Sequence, residues 1–203
     1  MDEGSLPGAF RSPPAEYGPA PLLVFNDEHE GVAGEERITR VLEGHEKMGY
    51  GGVFLHPRPG LMTEYLSARW FGLMRHAVKE CLRLGLVPYL YDENSYPSGF
   101  AGGHVPARVP EARSMYVGTV FGEGSDGVPE DRLSLHSWDG EGPGLPVVEK
   151  GEIEAGWVAF VMRSMQPLAW HGDTVYPSLL DPRTAGAFLE TTYEAYRREL
   201  GGL

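Results

Sequence analysis

The sequence contains one cysteine, Cys81, in 203 residues, which excludes an internal disulfide. Basic residues are scarce. With 17 Lys and Arg against 29 Asp and Glu, the formal charge is −12, and a nucleic-acid partner is excluded because such ligands are held mainly by neutralising phosphates. No apolar run approaches the roughly 18 residues of a membrane-spanning helix, so no membrane partner is expected. Met1 to Ser12 carries two acids and a proline where a secretory leader would carry a basic stretch and an apolar core. A reducing cytoplasm is the expected location. Cys81 falls on an apolar helical face, where a buried, unreactive thiol is the plain reading.

The hydrophobic content is sufficient for a real core: 41% of residues are hydrophobic and 11% aromatic. After the proline- and glycine-rich stretch Phe10 to Pro21, which suits a surface wrap, Leu22-Leu23-Val24-Phe25 reads as a short buried strand. Ile38, Val41, Leu42 and Met48 then recur at helical spacing over 35–48, and Gly49 supplies a stop. The pattern repeats. Gly52-Val53-Phe54-Leu55 is a second strand, followed by a helix over 67–84 with Ser67 as N-cap and Trp70, Leu73, Met74, Ala77, Val78, Cys81 and Leu82 on its apolar face. A third strand, Leu86 to Tyr91, contains Pro88, which removes one ladder donor.

Strands alternating with helix-length connections imply parallel pairing, so the strands centred on Val24, Phe54 and Tyr89 should lie side by side. The fold class expected is α/β: the first three β/α units of a partial (β/α) TIM-barrel, carrying a small antiparallel β insertion. On this reading 1–103 holds the N-terminal wrap and the three units, 104–176 is the β-rich insertion, and 177–203 is a returning barrel helix. Within the insertion, strand-like runs occupy Arg113 to Phe121 and Trp157 to Met165, with Gly122 to Gly151 as loop. The last helix starts at Asp181-Pro182 and presents Ala185, Phe188, Leu189, Thr192 and Tyr196 on one face.

In a parallel sheet, functional groups gather just past the C-terminal ends of the strands. The polar residues of this chain cluster at those points: Asn26-Asp27, His56-Pro57-Arg58, and Asp92-Glu93-Asn94-Ser95-Tyr96-Pro97-Ser98. Carboxylates, an imidazole, a guanidinium and amides around one mouth suit a hydroxyl-rich ligand, since each sugar hydroxyl both donates and accepts, and Tyr96 offers an apolar face to a ring. The plainer alternative is that Asp92 and Glu93 cap the following loop or pair with Arg58. Other chemistries lack support. The histidines His29, His45, His56 and His76 show no zinc spacing, Gly99 to Gly103 lacks the Lys-Ser/Thr of a phosphate-binding loop, and Ser98 is not in a nucleophile elbow. Neither metal nor cofactor is expected.

Several ordered stretches together resemble the N-terminal catalytic region of bacterial glycoside hydrolases of the α-L-rhamnosidase type, family 106. Phe10-Arg11-Ser12-Pro13-Pro14-Ala15-Glu16-Tyr17 is similar to that family's opening. Met48 to Leu61, with Tyr65-Leu66-Ser67 and Trp70, resembles its second-strand segment. Tyr91-Asp92-Glu93 with Tyr96-Pro97-Ser98-Gly99-Phe100-Ala101-Gly102-Gly103 resembles its third-strand loop and is the most specific match; Tyr176-Pro177-Ser178-Leu179-Leu180-Asp181-Pro182 looks like the return to the barrel. Phe25 stands where the family carries tryptophan before the first-strand asparagine.

The resemblance implies a glycosidase if a full barrel is present, or a protein that binds an α-L-rhamnoside-type carbohydrate without cleaving it; another α/β-barrel sugar enzyme is a further reading. Glu93 and Asp92 are then the catalytic candidates, and Asn26, His56, Arg58, Tyr96 and Ser98 the substrate-binding ones. Neighbouring side chains on an extended strand point to opposite faces, so Glu93 is expected to face the site while Asp92 orients Arg58 or a loop. The family continues into a fourth strand ending in an acidic segment, whereas this chain ends at Leu203; the second acid is expected from missing barrel strands. Self-association, or association with that missing part, is the expected way of covering the open sheet.

Overall fold

The computed structural model describes residues 6–11, 13–29, 31–146 and 156–203. A short helix α1 (Leu6–Arg11) and a single 3-10 turn at Ala15–Tyr17 lead into β1 (Leu22–Phe25). The proline-rich wrap therefore begins in the last turn of a helix, and it lies tightly against the segment Gly49 to Gly51. A Cβ on Gly51 would meet the Ala15 carbonyl oxygen at 2.0 Å, a contact only glycine permits.

Three parallel strands follow in the order β1-β2-β3, with β2 at Gly52–Pro57 and β3 at Val87–Leu90. The register sets Leu22 to Phe25 beside Phe54 to Pro57, and Gly52 to Leu55 beside Val87 to Leu90. The expected parallel neighbours are thus present. Pro88 lies on an edge strand, where a missing ladder donor costs least.

The crossovers are α2 (Gly31–Lys47) and α3 (Ala68–Arg83). α2 starts four residues before the expected helix and buries Gly34, Ile38 and Leu42, a stripe spaced by four. Gly34 is needed there, because a Cβ would sit 2.0 Å from the His29 carbonyl oxygen. In α3, Ser67 caps the first turn by accepting from the Trp70 N–H at 3.2 Å. Trp70, Phe71, Leu73, Met74, Ala77, Val78 and Cys81 are buried against Phe25, Val53 and Leu55 of the sheet. Burial pushes the Cys81 thiol up to about 12, so it is an inert packing group.

Beyond β3 the β/α alternation stops, and the expectation of a partial TIM-barrel is overturned. A loop and the short helix α4 (His104–Arg108) lead into a separate antiparallel sheet of β4 (Met115–Glu123), β5 (Arg132–Trp138), β6 (Pro143–Pro146) and β7 (Gly156–Ser164), ordered β4-β7-β5-β6. The molecule pairs a three-stranded parallel sheet with this four-stranded antiparallel one. Three β/α units carry the same hydrophobic pattern whether the sheet stays open or closes, so periodicity alone over-specified the architecture.

The expected strands at 113–121 and 157–165 correspond to β4 and β7. The stretch expected as loop contains β5 and β6 instead, while 147–151 lie outside the described residues. In β5 only Leu135 is buried, which leaves little periodic signal; its pairing with β7 supplies the strand. Trp157 fills the second core with Val128, Leu135 and Ala159, its indole N–H donates to the Gly124 carbonyl at 2.7 Å, and Gly122 leaves room for its ring.

The final helix is two helices, α5 (Pro182–Thr191) and α6 (Tyr193–Leu200), with Asp181 and Pro182 in the expected capping places. The break is at Thr192, whose hydroxyl donates to the Phe188 carbonyl at 2.7 Å. Thr184, Ala187, Thr192 and Tyr196 form the buried face across the break, while the expected Ala185 and Leu189 are exposed. α6 closes the first core: Trp70 Nε1 donates to Tyr196 Oη at 2.9 Å, and the rings of Phe71 and Tyr196 meet edge-on at 5.4 Å. Among the described residues no helix is long and apolar enough to cross a membrane.

Candidate functional site

Parallel registration brings the ends of β1, β2 and β3 to one side of the sheet. Arg58 N donates to the Phe25 carbonyl at 3.0 Å, Tyr91 N to Leu55 at 3.2 Å and Ser95 N to Pro57 at 3.3 Å. Asn26 is exposed, and its carbonyl lies so near Gly60 (φ +102°) that a Cβ there would be 2.7 Å away. His56 is buried, with its ring 3.9 Å from that of Tyr91 and its Nδ1 without a partner. Burial, with the Arg58 guanidinium adding to it, lowers the His56 pKa.

The two adjacent carboxylates follow the plainer alternative, for both bond to the loop that comes after them. Glu93 is fully buried. Its Oε1 accepts from the backbone N–H of Asn94 (2.8 Å) and Gly102 (2.6 Å), and its Oε2 from Gly99 (3.1 Å), Phe100 (3.0 Å) and Ala101 (2.6 Å). Burial pushes this carboxyl's pKa above the ordinary value, although the backbone donors pull against it. All five partners are donors, and only the ionised carboxylate accepts them without setting an O–H against an N–H.

Asp92, half-buried, accepts from Ser98 Oγ at 2.7 Å and Tyr193 Oη at 2.8 Å, and it makes no ion pair with Arg58. Glu93 therefore offers no exposed atom to a ligand, and Asp92 ties the loop to α6 without orienting Arg58.

The loop over 94–103 is costly to form alone. Ser95 (φ 119°) and Ala101 (φ 50°) occupy left-handed backbone conformations, as do Gly99, Gly102 and Gly103. Three further anchors hold it from the other domain half: Trp170 Nε1 donates to the Tyr96 carbonyl at 2.6 Å, Tyr176 Oη to the Ser98 carbonyl at 2.6 Å, and Ser95 Oγ to the Trp170 carbonyl at 3.4 Å. His171 packs between Phe100 and Tyr176 at ring distances of 5.0 and 5.3 Å. Tyr96 itself is largely exposed and Ser98 half-buried.

Between this loop, the residues after β2 and the turn at 169–172 lies a cleft of about 300 Å³, walled by Arg58, Asn94, Ser95, Trp170 and His171 among others. Trp170 is 50% exposed. Arg58 Nε, Asn94 Oδ1 and His171 Nδ1 have no hydrogen-bond partner among the described residues. The described cleft wall contains no Asp or Glu.

Of the residues anticipated from sequence, Arg58 lines the cleft, while Asn26, His56, Tyr96, Ser98, Asp92 and Glu93 surround or support it. Trp170 and His171 were missed. They lie more than 70 residues away, and their one local cue is Gly172-Asp173, both at positive φ in a tight turn.

No protein-family model matches the chain, and no curated protein matches it. Among solved structures it is similar to a rhamnosidase from Novosphingobium sp. PP1Y, with 20% identity over 66% of this chain and a TM-score of 0.44. The chain spans 13% of that protein's length.

Proposed function

We propose that this chain binds a carbohydrate of the α-L-rhamnoside type in the cleft between Arg58, Asn94 and Trp170, as part of a glycoside-hydrolase-like lineage. The observation that carries the reading is the composition of that wall: one half-exposed indole beside a guanidinium, an amide and an imidazole. An aromatic face covers the apolar C–H surface of a sugar ring, and sparse unpaired donors and acceptors fix its hydroxyls. The sequence resemblance to the α-L-rhamnosidase type supplies the sugar class.

Binding is favoured over cleavage for the residues described. Glycoside hydrolysis ordinarily uses two carboxyl groups at the scissile bond. Here Glu93 is spent on five backbone donors and Asp92 on two hydroxyls. Titration with methyl α-L-rhamnoside tests the reading, followed by tryptophan fluorescence and by calorimetry. Saturable binding is expected, weakened about tenfold in Trp170→Ala, on the order of the 1.4 kcal/mol an aromatic contact can supply. Absence of saturable binding would overturn it. Turnover of an aryl α-L-rhamnoside that survives purification and is abolished by Glu93→Gln in a folded protein would restore Glu93 as a catalytic acid.

A further inference from the structure

The acid-rich surface pairs many of its arginines: Arg37 with Asp27, Arg75 with Glu199, Arg83 with Glu43 and Glu80, Arg108 with Glu190, and Arg183 with Glu111 and Asp181. Arg58 is different. It is half-buried, its Nε is shielded from solvent without an acceptor, and its guanidinium makes no hydrogen bond or ion pair with any described residue. It is also the one charged residue on the described cleft wall. His56 behind it is buried, which leaves the guanidinium as the fixed charge of the pair.

A partly desolvated guanidinium without a counter-ion is unfavourable, and a carboxylate relieves it best, through two parallel N–H to oxygen bonds about twice as strong as neutral ones. A neutral hydroxyl cannot accept in that forked geometry. The net charge disfavours a polyanion, whose many charges face the whole acidic surface, more than a single carboxylate delivered into the cleft.

We infer that Arg58 is an anion subsite of the cleft and that the saccharide bound there carries, beside its rhamnoside unit, an acidic sugar whose carboxylate sits on Arg58. This rests on the carbohydrate-binding reading above.

The test uses the full chain and a matched pair of ligands, methyl β-D-glucuronoside and methyl β-D-glucoside, which differ in a carboxylate against a hydroxymethyl group. Methyl α-L-rhamnoside and sodium acetate complete the set, with binding followed by calorimetry and tryptophan fluorescence. The glucuronoside is expected to bind at least about tenfold more tightly than the glucoside, as one charge-assisted pair supplies. Arg58→Gln should erase that preference, and Arg58→Lys should retain part of it.

Equal affinity for the pair, or a preference that survives in Arg58→Gln, overturns the inference. Acetate binding as tightly as the glucuronoside also overturns it, because the site would then be a bare anion site. Saturable methyl α-L-rhamnoside binding without any glucuronoside preference sinks this inference alone; no binding of any of the three sugars sinks the cleft reading with it. Should Arg58→Gln not fold, by circular dichroism, the Arg58→Lys preference decides: a preference unchanged from the parent protein counts against the inference and a reduced one supports it.

Discussion

Replacing Glu93 by glutamine removes one acceptor oxygen from a fully buried site and puts an NH₂ group in its place. The cheaper orientation sets the amide nitrogen at the Oε1 position, against the N–H groups of Asn94 and Gly102; the other orientation confronts Gly99, Phe100 and Ala101. At least two backbone donors lose their acceptor out of reach of water, and each such orphan costs about 1–3 kcal/mol. The expected loss is about 2–6 kcal/mol, a large share of the roughly 5–15 kcal/mol that stabilises a typical domain. Equilibrium unfolding in urea, followed by circular dichroism and tryptophan fluorescence, measures it. Asp92→Asn is the internal contrast: its partners are the Ser98 and Tyr193 hydroxyls, which can rotate to accept from an amide, so a loss of no more than about 1 kcal/mol is expected. A Glu93→Gln loss below about 0.5 kcal/mol would refute the view that this carboxylate is the buried anchor of the 94–103 loop.

Gly60→Ala should lower the thermal midpoint, because φ is +102° and the new Cβ would stand 2.7 Å from the Asn26 carbonyl oxygen; an unchanged midpoint would mean the two chain segments are not so closely apposed. His56 should titrate below the ordinary histidine value of about 6.5 in a proton NMR titration, as burial and Arg58 both disfavour its charged form. The unfolded state then binds the extra proton first, so its contribution to stability is complete above the unfolded pKa and lost as pH falls through the folded one. On the open side of the parallel sheet, Val87 and Tyr89 are 46% and 42% exposed on the edge strand β3, and we propose that the chain self-associates there. Sedimentation should show a concentration-dependent oligomer that Tyr89→Lys dissociates, and a monomer at all concentrations would contradict this.

What the sequence made legible is the part whose signal is local. Two strand-helix-strand passages, the Ser67 cap, the Asp181-Pro182 start and the crowding of polar residues after each strand all follow from spacing and capping rules within a few residues. Closure of the sheet is different in kind. Whether a fourth parallel strand joins β3 depends on partners distant in sequence, and after β3 the chain turns to an antiparallel sheet whose strand β5 has a single buried residue, Leu135. The same non-locality hid Trp170 and His171, which reach the cleft because Leu168 and Thr174 close a turn against the 94–103 loop, and no periodicity reports that meeting.

The segment Tyr91 to Gly103 is the most specific motif of the chain, and its geometry explains why the specificity concerns shape before chemistry. Gly99, Gly102 and Gly103 take backbone angles costly for other residues, Ala101 and Ser95 are held in such angles, and Glu93 compensates by binding the N–H groups of 94, 99, 100, 101 and 102. A carboxylate at position 93 is thus required for the loop to exist in this form, whatever reaction takes place nearby. An acid just past a strand, such as Glu93, reads as facing the site from sequence, since burial is not visible there. Once the loop is built, it leaves Asn94 Oδ1 without a partner among the described residues, and Trp170, His171 and Arg58 line the cleft beside it.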